Sequence, residues 1–195
     1  MHTLTLSTER LTIARPCLDQ AAAMLDFAVR NRDHLKTWNP PAPEGLYTLT
    51  HWQEVVVNCA LAFEARSAVR FWIATRERPE RIIGSIGYSQ MSRGAFCACV
   101  LGYQIDNACE GQGLMAEALR ATNRYMFDEQ KLHRIAANYR PENTRSGQLL
   151  AKLGFRIEGY ARDYLFIDGA WRDHVLTSLT NNAFDTNWLQ VTPKL

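Results

Sequence analysis

Apolar and polar residues alternate around Leu11 and Ile13 until Pro16 stops the run, which predicts a first strand over Glu9–Arg15. Asp19 then stands before Ala21, Ala22, Ala23, Met24 and Leu25, the pattern of a capped helix running to about Arg32. The stretch Asn39-Pro40-Pro41-Ala42-Pro43 excludes helix and central strand, so it reads as a loop of restricted shape. Trp52, Val55, Val56, Cys59 and Phe63 recur at helical spacing and predict a second helix over about Thr50–Ala65.

Beyond Ala65 the period shortens. Phe71–Arg76, Ile82–Met91 and Phe96–Ile105 are β-rich runs, separated by Arg78-Pro79-Glu80 and Ser92-Arg93-Gly94 as turns. These separations suit an antiparallel meander. After Glu110-Gly111-Gln112-Gly113 a helical pattern runs from Leu114 to about Glu129. A strand (Arg134–Tyr139), a helix (Thr144–Lys152) and two strands (Phe155–Ile167 and Trp171–Thr180) complete the pattern. No internal repeat or long linker interrupts it, so one α+β domain is the simplest account.

Composition narrows the class without naming an activity. The chain has 195 residues, 47% hydrophobic and 22% charged, close to the average for globular proteins and enough for one substantial core. Its longest apolar runs, such as Phe96–Leu101, are too short to span a bilayer. The N-terminus lacks a basic-then-apolar leader, and the five cysteines form no C-x-x-C pair. A reducing cytoplasm is therefore expected. A net charge of +2 argues against dedicated nucleic-acid binding. Cys97 and Cys99 fall on one strand face without further ligands at metal spacing, so packed thiols are expected and no metal.

Gly111-Gln112-Gly113-Leu114-Met115-Ala116 opens a helix after a β-run. Glycines allow a sharp turn, and the free N–H groups of a helix start attract phosphate. An ordinary strand-to-helix turn carries the same glycines. A Walker loop requires Gly-Lys-Ser/Thr, which is absent. The dinucleotide fingerprint is formally met by Gly111, Gly113 and Ala116, but it follows a meander and lacks the acid about 20 residues on. An acyl-coenzyme A site is the class that remains.

At these residues the chain resembles the GCN5-related N-acetyltransferases (GNAT superfamily), in particular the bacterial subgroup that modifies N-terminal alanines of ribosomal proteins. The resemblance is carried by Leu101-Gly102-Tyr103, Gly113-Leu114-Met115, His133-Arg134-Ile135, Ala137-Asn138-Tyr139 and Arg145-Ser146-Gly147. It continues through Leu153-Gly154-Phe155, Glu158-Gly159-Tyr160-Ala161, Ile167-Asp168-Gly169 and Trp171-Arg172-Asp173-His174-Val175-Leu176, a block specific to the subgroup. It implies a mixed, mostly antiparallel sheet of six or seven strands with helices on both faces. The domain is expected over residues 8–180, followed by a tail, 181–195, in which Trp188 and Leu189 form a short docked helix or a loose end.

The resemblance also assigns roles. Tyr103, Ile105, Gly111, Gln112, Gly113, Leu114, Met115, Ala116, Asn143 and Ser146 would hold acetyl-coenzyme A. The Ile105 amide would steady the charge that develops on the acetyl oxygen. Asn143 would bond the pantetheine arm, although Asn143-x-x-Ser146 is also good helix-capping chemistry. Ser146 is a candidate general acid for the departing thiolate, and capping alone is its other reading. Glu110 stands where the family has Gln or Arg, and is expected to point outward. Met115 replaces the broad family's Gly or Ala but is normal for the subgroup.

The base is open among Glu158, Asp168, Asp173 and His174, with Tyr103 or Tyr164 as polar positioners; Glu158 is carried forward as the catalytic candidate. An N-terminal amine has a pKa of roughly 7.7–8.0, so little help is required. Asp168-Gly169 also reads as a hairpin turn. Trp38 is a candidate cover for the substrate groove, and Arg140, Arg145, Arg156 and Arg162 are expected around the second half of the site. The implied acceptor is the N-terminal alanine of the fifth small-subunit ribosomal protein, with association at the ribosome surface and no membrane. The alternatives are a non-catalytic coenzyme A-binding assembly factor, or an acetyltransferase for another ribosomal protein or a small amine.

Overall fold

The computed structural model describes residues 4–187. The first half contains β1 (Thr5–Ser7), β2 (Leu11–Ala14), α1 (Ala21–Arg30), α2 (Arg32–Lys36), α3 (Leu49–Glu64), β3 (Val69–Thr75) and β4 (Arg78–Ser92). The second half contains β5 (Ala98–Ile105), α4 (Leu114–Asp128), β6 (Arg134–Tyr139), α5 (Thr144–Lys152), β7 (Arg156–Ile167) and β8 (Ala170–Thr180). The strands form one sheet of eight in the order β1-β2-β3-β4-β5-β6-β8-β7. Every neighbouring pair is antiparallel except β5 and β6, which run parallel.

Among the described residues the sheet has one strand more than the upper expectation: the predicted first strand is β2, and β1 precedes it, unannounced by the residue pattern. Thr8 turns the chain between β1 and β2, its hydroxyl accepting the Leu11 N–H at 3.0 Å. Asp19 does not cap α1: it lies inside a 3-10 turn, and Gln20 is the N-cap without a side-chain bond. The predicted helix also breaks at Asn31. Its backbone leaves the helical region (φ −105°, ψ +12°), and its buried side chain donates to the Phe27 carbonyl and accepts from the Asn107 N–H at 3.0 Å. Arg78-Pro79-Glu80 belongs to β4 rather than to a turn, since the chain reverses at Arg76 and Glu77 and Thr75 Oγ1 accepts from the Arg78 N–H.

Both faces of the sheet are covered by helices. On one, α4 and α5 bury Leu119, Met126 and Leu150 against Ile13, Phe71, Ile73, Ile86, Tyr88, Leu101 and Ile135. On the other, α1 and α3 bury Met24, Phe27, Trp52 and Val56 against Trp72 and Ile82. Cys97 and Cys99 are packed in the first of these cores. Strand alternation assigns the faces: in β3 the side chains of Phe71 and Ile73 go to one core and Trp72 to the other.

The feature that shapes the site is a ladder that stops early. β5 and β6 pair only from Ala98–Arg134 to Leu101–Ala137. β5 then follows β4 to Ile105, and β6 follows β8 to Tyr139, so the two strands splay apart. Gly147 lets α5 press on the end of β6: a Cβ there would stand 2.8 Å from the Tyr139 ring. The tail is described to Asn187, with the Phe184 ring 5.1 Å from that of His133. The expectation for Trp188 and Leu189 lies outside the described residues.

Tyr88 pins α4 to the middle of the sheet. Its buried hydroxyl lies 2.7 Å from Asn123 Oδ1 and 2.8 Å from Thr122 Oγ1. Tyr88→Phe leaves the Asn123 oxygen without this donor, so urea denaturation should show a loss of about 1–3 kcal/mol. An unchanged midpoint would show that the contact is dispensable.

Candidate active site

The splay exposes backbone. The Asp106 N–H donates to the Ile83 carbonyl, and pairing continues through Gly84–Ile105, Ser85–Gln104 and Ile86–Tyr103. Hydrogen-bonded and non-bonded pairs alternate in an antiparallel ladder, so Tyr103 and Ile105 turn their N–H and C=O away from β4. Past Leu101 no β6 residue pairs with them. The Ile105 amide therefore faces the opening.

Tyr103 and Ser146 meet across the same opening. Tyr103 lies on the unpaired part of β5, Ser146 in the first turn of α5, and their hydroxyls are 2.7 Å apart. Burial pushes the Tyr103 phenol up to about 12 despite the bond to Ser146, so it keeps its proton at neutral pH. Asn143 caps α5 as its spacing predicts, Oδ1 accepting from the Ser146 N–H at 3.1 Å. Only its Oδ1 is committed by that cap.

The glycine loop sits at the start of α4. Gly111 and Gly113 have φ of +73° and +76°, which side-chain-bearing residues rarely adopt. Gly113 is the N-cap and supplies no side-chain acceptor. The leading N–H groups of α4, including those of Leu114, Met115 and Ala116, thus lack intrahelical acceptors and suit a phosphate. The β1–β2 turn holds the loop: Arg10 Nη1 donates to the Gln112 carbonyl at 3.0 Å. Glu117 anchors that turn in return. Burial alone would raise its carboxyl, but bonds from Thr8 and from the Arg10 backbone and guanidinium hold it below the usual value.

Glu110 does not point outward as expected. Its carboxylate is ion-paired with Arg145 of α5 and lies 3.2 Å from His34 Nε2 of α2. Arg145 stands at the same helix start as Ser146, so the loop and α5 are joined by charge. The lead-in to the loop is held by Asp106, whose carboxylate accepts from Arg30 at 2.8 Å and from the Ala108 N–H at 3.0 Å. Burial would raise its carboxyl, yet these bonds keep it below the ordinary aspartate value.

Residues 37–39 bridge both lips of the splay. Asn39 donates to Gln104 of β5 at 3.0 Å, and the Thr37 carbonyl accepts from Arg140, just past β6, at 2.7 Å. The Arg140 guanidinium lies over the Trp38 ring at 5.4 Å. Trp38 therefore sits at the opening, outside both cores. Sequence reasoning missed Asn39 and Gln104; the proline-dense stretch beside Trp38 was the available signal. Of the four arginines expected together, Arg140 and Arg145 border the opening, while Arg156 and Arg162 lie on the edge strand β7.

The base candidates are spread along β7 and β8. Glu158 is not brought to the Tyr103–Ser146 pair: it is bonded to Arg134 and Ser178, and the Arg134 bond holds its carboxyl below the usual value. Asp173 accepts from Tyr160 and from the Asp163 N–H. His174 is buried, with Nδ1 3.0 Å from the Arg172 carbonyl. Asp168 and Gly169, with φ of +49° and +74°, form the β7–β8 turn. The Tyr164 hydroxyl accepts at 2.9 Å from Asn138, the β6 residue just past the last β5–β6 pair.

A splayed parallel pair, with a glycine-opened helix on one lip and a hydroxyl pair across the gap, defines an acyl-coenzyme A transferase fold. Residues 10–156 match the acetyltransferase (GNAT) domain model, and the chain belongs to that family. It is 46% identical over 175 residues, 90% of each chain, to the [ribosomal protein uS5]-alanine N-acetyltransferase of Escherichia coli K12. The ribosomal-protein-S5-alanine acetyltransferase of Vibrio fischeri superposes with a TM-score of 0.89 at 34% identity, covering 93% of this chain and 99% of that one. Mycobacterium smegmatis RimJ, solved with CoA-disulfide, gives 0.82 at 28% identity, covering 91% and 86%.

Asp106 provides a pH test of the loop's anchor. Its lowered carboxyl contributes stability that is complete above the unfolded value of about 3.9 and drains away as pH falls through the folded value. Asp106→Asn should cost about 1.5–3 kcal/mol near neutral pH. The gap to the native protein should narrow as pH drops from about 5 to about 3. Thermal melts across that range measure it, and a constant gap would refute the assignment.

Proposed function

We propose that this protein acetylates the N-terminal alanine of ribosomal protein uS5, taking the acetyl group directly from acetyl-coenzyme A. The observation that carries the reading is the Tyr103–Ser146 hydroxyl pair beside the outward-facing Ile105 amide. Support for the acceptor comes from the 46% identity to the E. coli uS5-alanine enzyme over 90% of both chains. Residues 8–180 are taken as the catalytic domain. An acceptor of this kind places the enzyme in the cytoplasm, in contact with uS5 free or on the ribosome surface.

When bound, acetyl-coenzyme A supplies an activated thioester. Gly111, Gln112, Gly113, Leu114, Met115 and Ala116 hold its pyrophosphate through backbone N–H groups. Tyr103, Asn143 and Ser146 line the path of its arm. The Ile105 amide donates to the acetyl oxygen as the amine attacks and negative charge gathers there. Ser146 gives its proton to the departing sulfur, the protonated Tyr103 hydroxyl behind it orienting that proton, and the proton shed by the attacking amine returns to Ser146 through solvent, so that the amide and the free thiol form with the enzyme unchanged. A thiol with a pKa of roughly 8.5 is a good enough leaving group for so weak an acid.

Glu158, tied to Arg134 and Ser178, is a poor base, and the reaction does not require a strong one. An α-amine with a pKa near 7.7–8.0 is about a fifth to a third neutral at pH 7.4. Lysine, at roughly 10.4, would need about 3 pH units of help. The chemistry therefore favours N-terminal amines over lysine.

Thiol release from acetyl-coenzyme A with an alanine-starting peptide tests the reading. Ser146→Ala should lower kcat about 10²-fold, in line with loss of a general acid, with a smaller change in KM. Gly113→Asp should abolish coenzyme binding, and Glu158→Gln should leave kcat within about twofold. The native kcat/KM should rise with pH and level off above about 8, as the amine loses its proton. No thiol release above the Gly113→Asp background would reject the function.

A further inference from the structure

On the α3 side of the sheet a groove of about 600 Å³ runs from Asn39 and Gln104, at the splay, to Arg70 on β3. Its floor is built from very small residues, Ser85 and Gly87 of β4 and Gly102 of β5. The register places Arg70, Gly87 and Gly102 side by side on three adjacent strands. The protein's own packing does not demand these glycines. A Cβ on Gly102 would meet nothing within 4 Å, and one on Gly87 would meet only Arg70 Nε, at 3.9 Å. Glycine inside a strand costs stability of about 0.5–1 kcal/mol. No bulge falls at either position, so what the two glycines provide is room for another backbone to come close.

Charge in the groove is one-sided. No carboxylate lines it, and Arg70 is exposed with no acidic partner among the described residues. Arg10, Arg30, Arg134 and Arg145 are all ion-paired. A cation left unpaired over a glycine floor, at the far end of a track leading to the reaction centre, is suited to read a side chain of the acceptor.

We propose that this groove receives the acceptor polypeptide behind its amine, and that Arg70 selects acceptors with an acidic side chain at about the third to fifth residue. The inference rests on the acetyltransferase reading, which sets the amine at the splay. From Gln104 to Arg70 the track crosses two strand spacings and two residues of strand, on the order of 12 Å. An extended chain at about 3.3 Å per residue covers that distance in roughly 3–4 residues. The floor admits its backbone, and the guanidinium meets a carboxylate with little competition from within the protein.

The test uses the full-length protein, acetyl-coenzyme A and alanine-starting peptides that differ only in carrying Glu, Gln or Lys at one position, stepped along the peptide. With Glu at the third to fifth residue, kcat/KM should exceed that of the Gln peptide roughly three- to tenfold, mainly through KM. The advantage should shrink as salt rises from about 0.05 to 0.5 M. Arg70→Ala should reduce the Glu peptide to the level of the Gln peptide while leaving the Gln peptide unchanged. Arg70→Lys should keep most of the preference, and Arg70→Glu should turn it toward Lys. Equal rates for Glu and Gln peptides, or a preference that survives Arg70→Ala, would overturn the inference while leaving acetyl transfer intact. No thiol release from any peptide would overturn both.

Discussion

Two parallel strands that stop pairing after four residues leave unmet backbone groups inside a sheet. Such groups are costly unless something satisfies them. Here each strand remains fixed from behind, β5 by β4 and β6 by β8, so the gap is held open by two intact antiparallel ladders. Everything chemical about the protein depends on that constraint. The outward amides of Tyr103 and Ile105 are available because β6 has turned away. Ser146 reaches Tyr103 because α5, seated on Tyr139 through Gly147, is carried on the departing strand.

Charge then stabilises what the backbone leaves open. Arg10 and Glu117 tie the glycine loop to the β1–β2 turn, and Asp106 with Arg30 steadies the chain leading into it. Glu110 with Arg145 joins loop and α5. These pairs border a part of the chain rich in positive-φ glycine and poor in buried apolar contact. Electrostatic bonds hold a loop in place where apolar packing has too little surface to do so. They leave the leading N–H groups of α4 free to meet an anion.

Much of this was legible from residue order. The spacing of Asn143 and Ser146 predicts α5 and its cap, and Arg134–Tyr139 matches β6 residue for residue. The glycines at 111 and 113 mark the loop because only glycine tolerates that backbone. What escaped was set by distant partners. Asn31 breaks a helix to serve Asn107, seventy-six positions away, and nothing local announces that use. Glu110 looked like a surface carboxylate because neither His34 nor Arg145 is near it in sequence. Asn39 is unremarkable until the fold brings Gln104 to it, and Arg140, expected near the site, gave no sign of its bond to the Thr37 carbonyl. Glu158 matched a motif, yet its carboxylate is satisfied by Arg134 and Ser178 far from the gap's hydroxyls.

The strap formed by residues 37–39 crosses the gap on the α3 side, whereas α4 and α5 border it from the other. The sheet is thus a partition with a doorway, and its two visitors come from opposite rooms. A coenzyme lodged from the α4–α5 side leaves the α3 side to the acceptor, and an arriving polypeptide does not have to pass the nucleotide to reach the thioester. Acylation and departure can proceed without the two products competing for one exit. The early end of a single ladder therefore sets the traffic of the reaction as well as its chemistry.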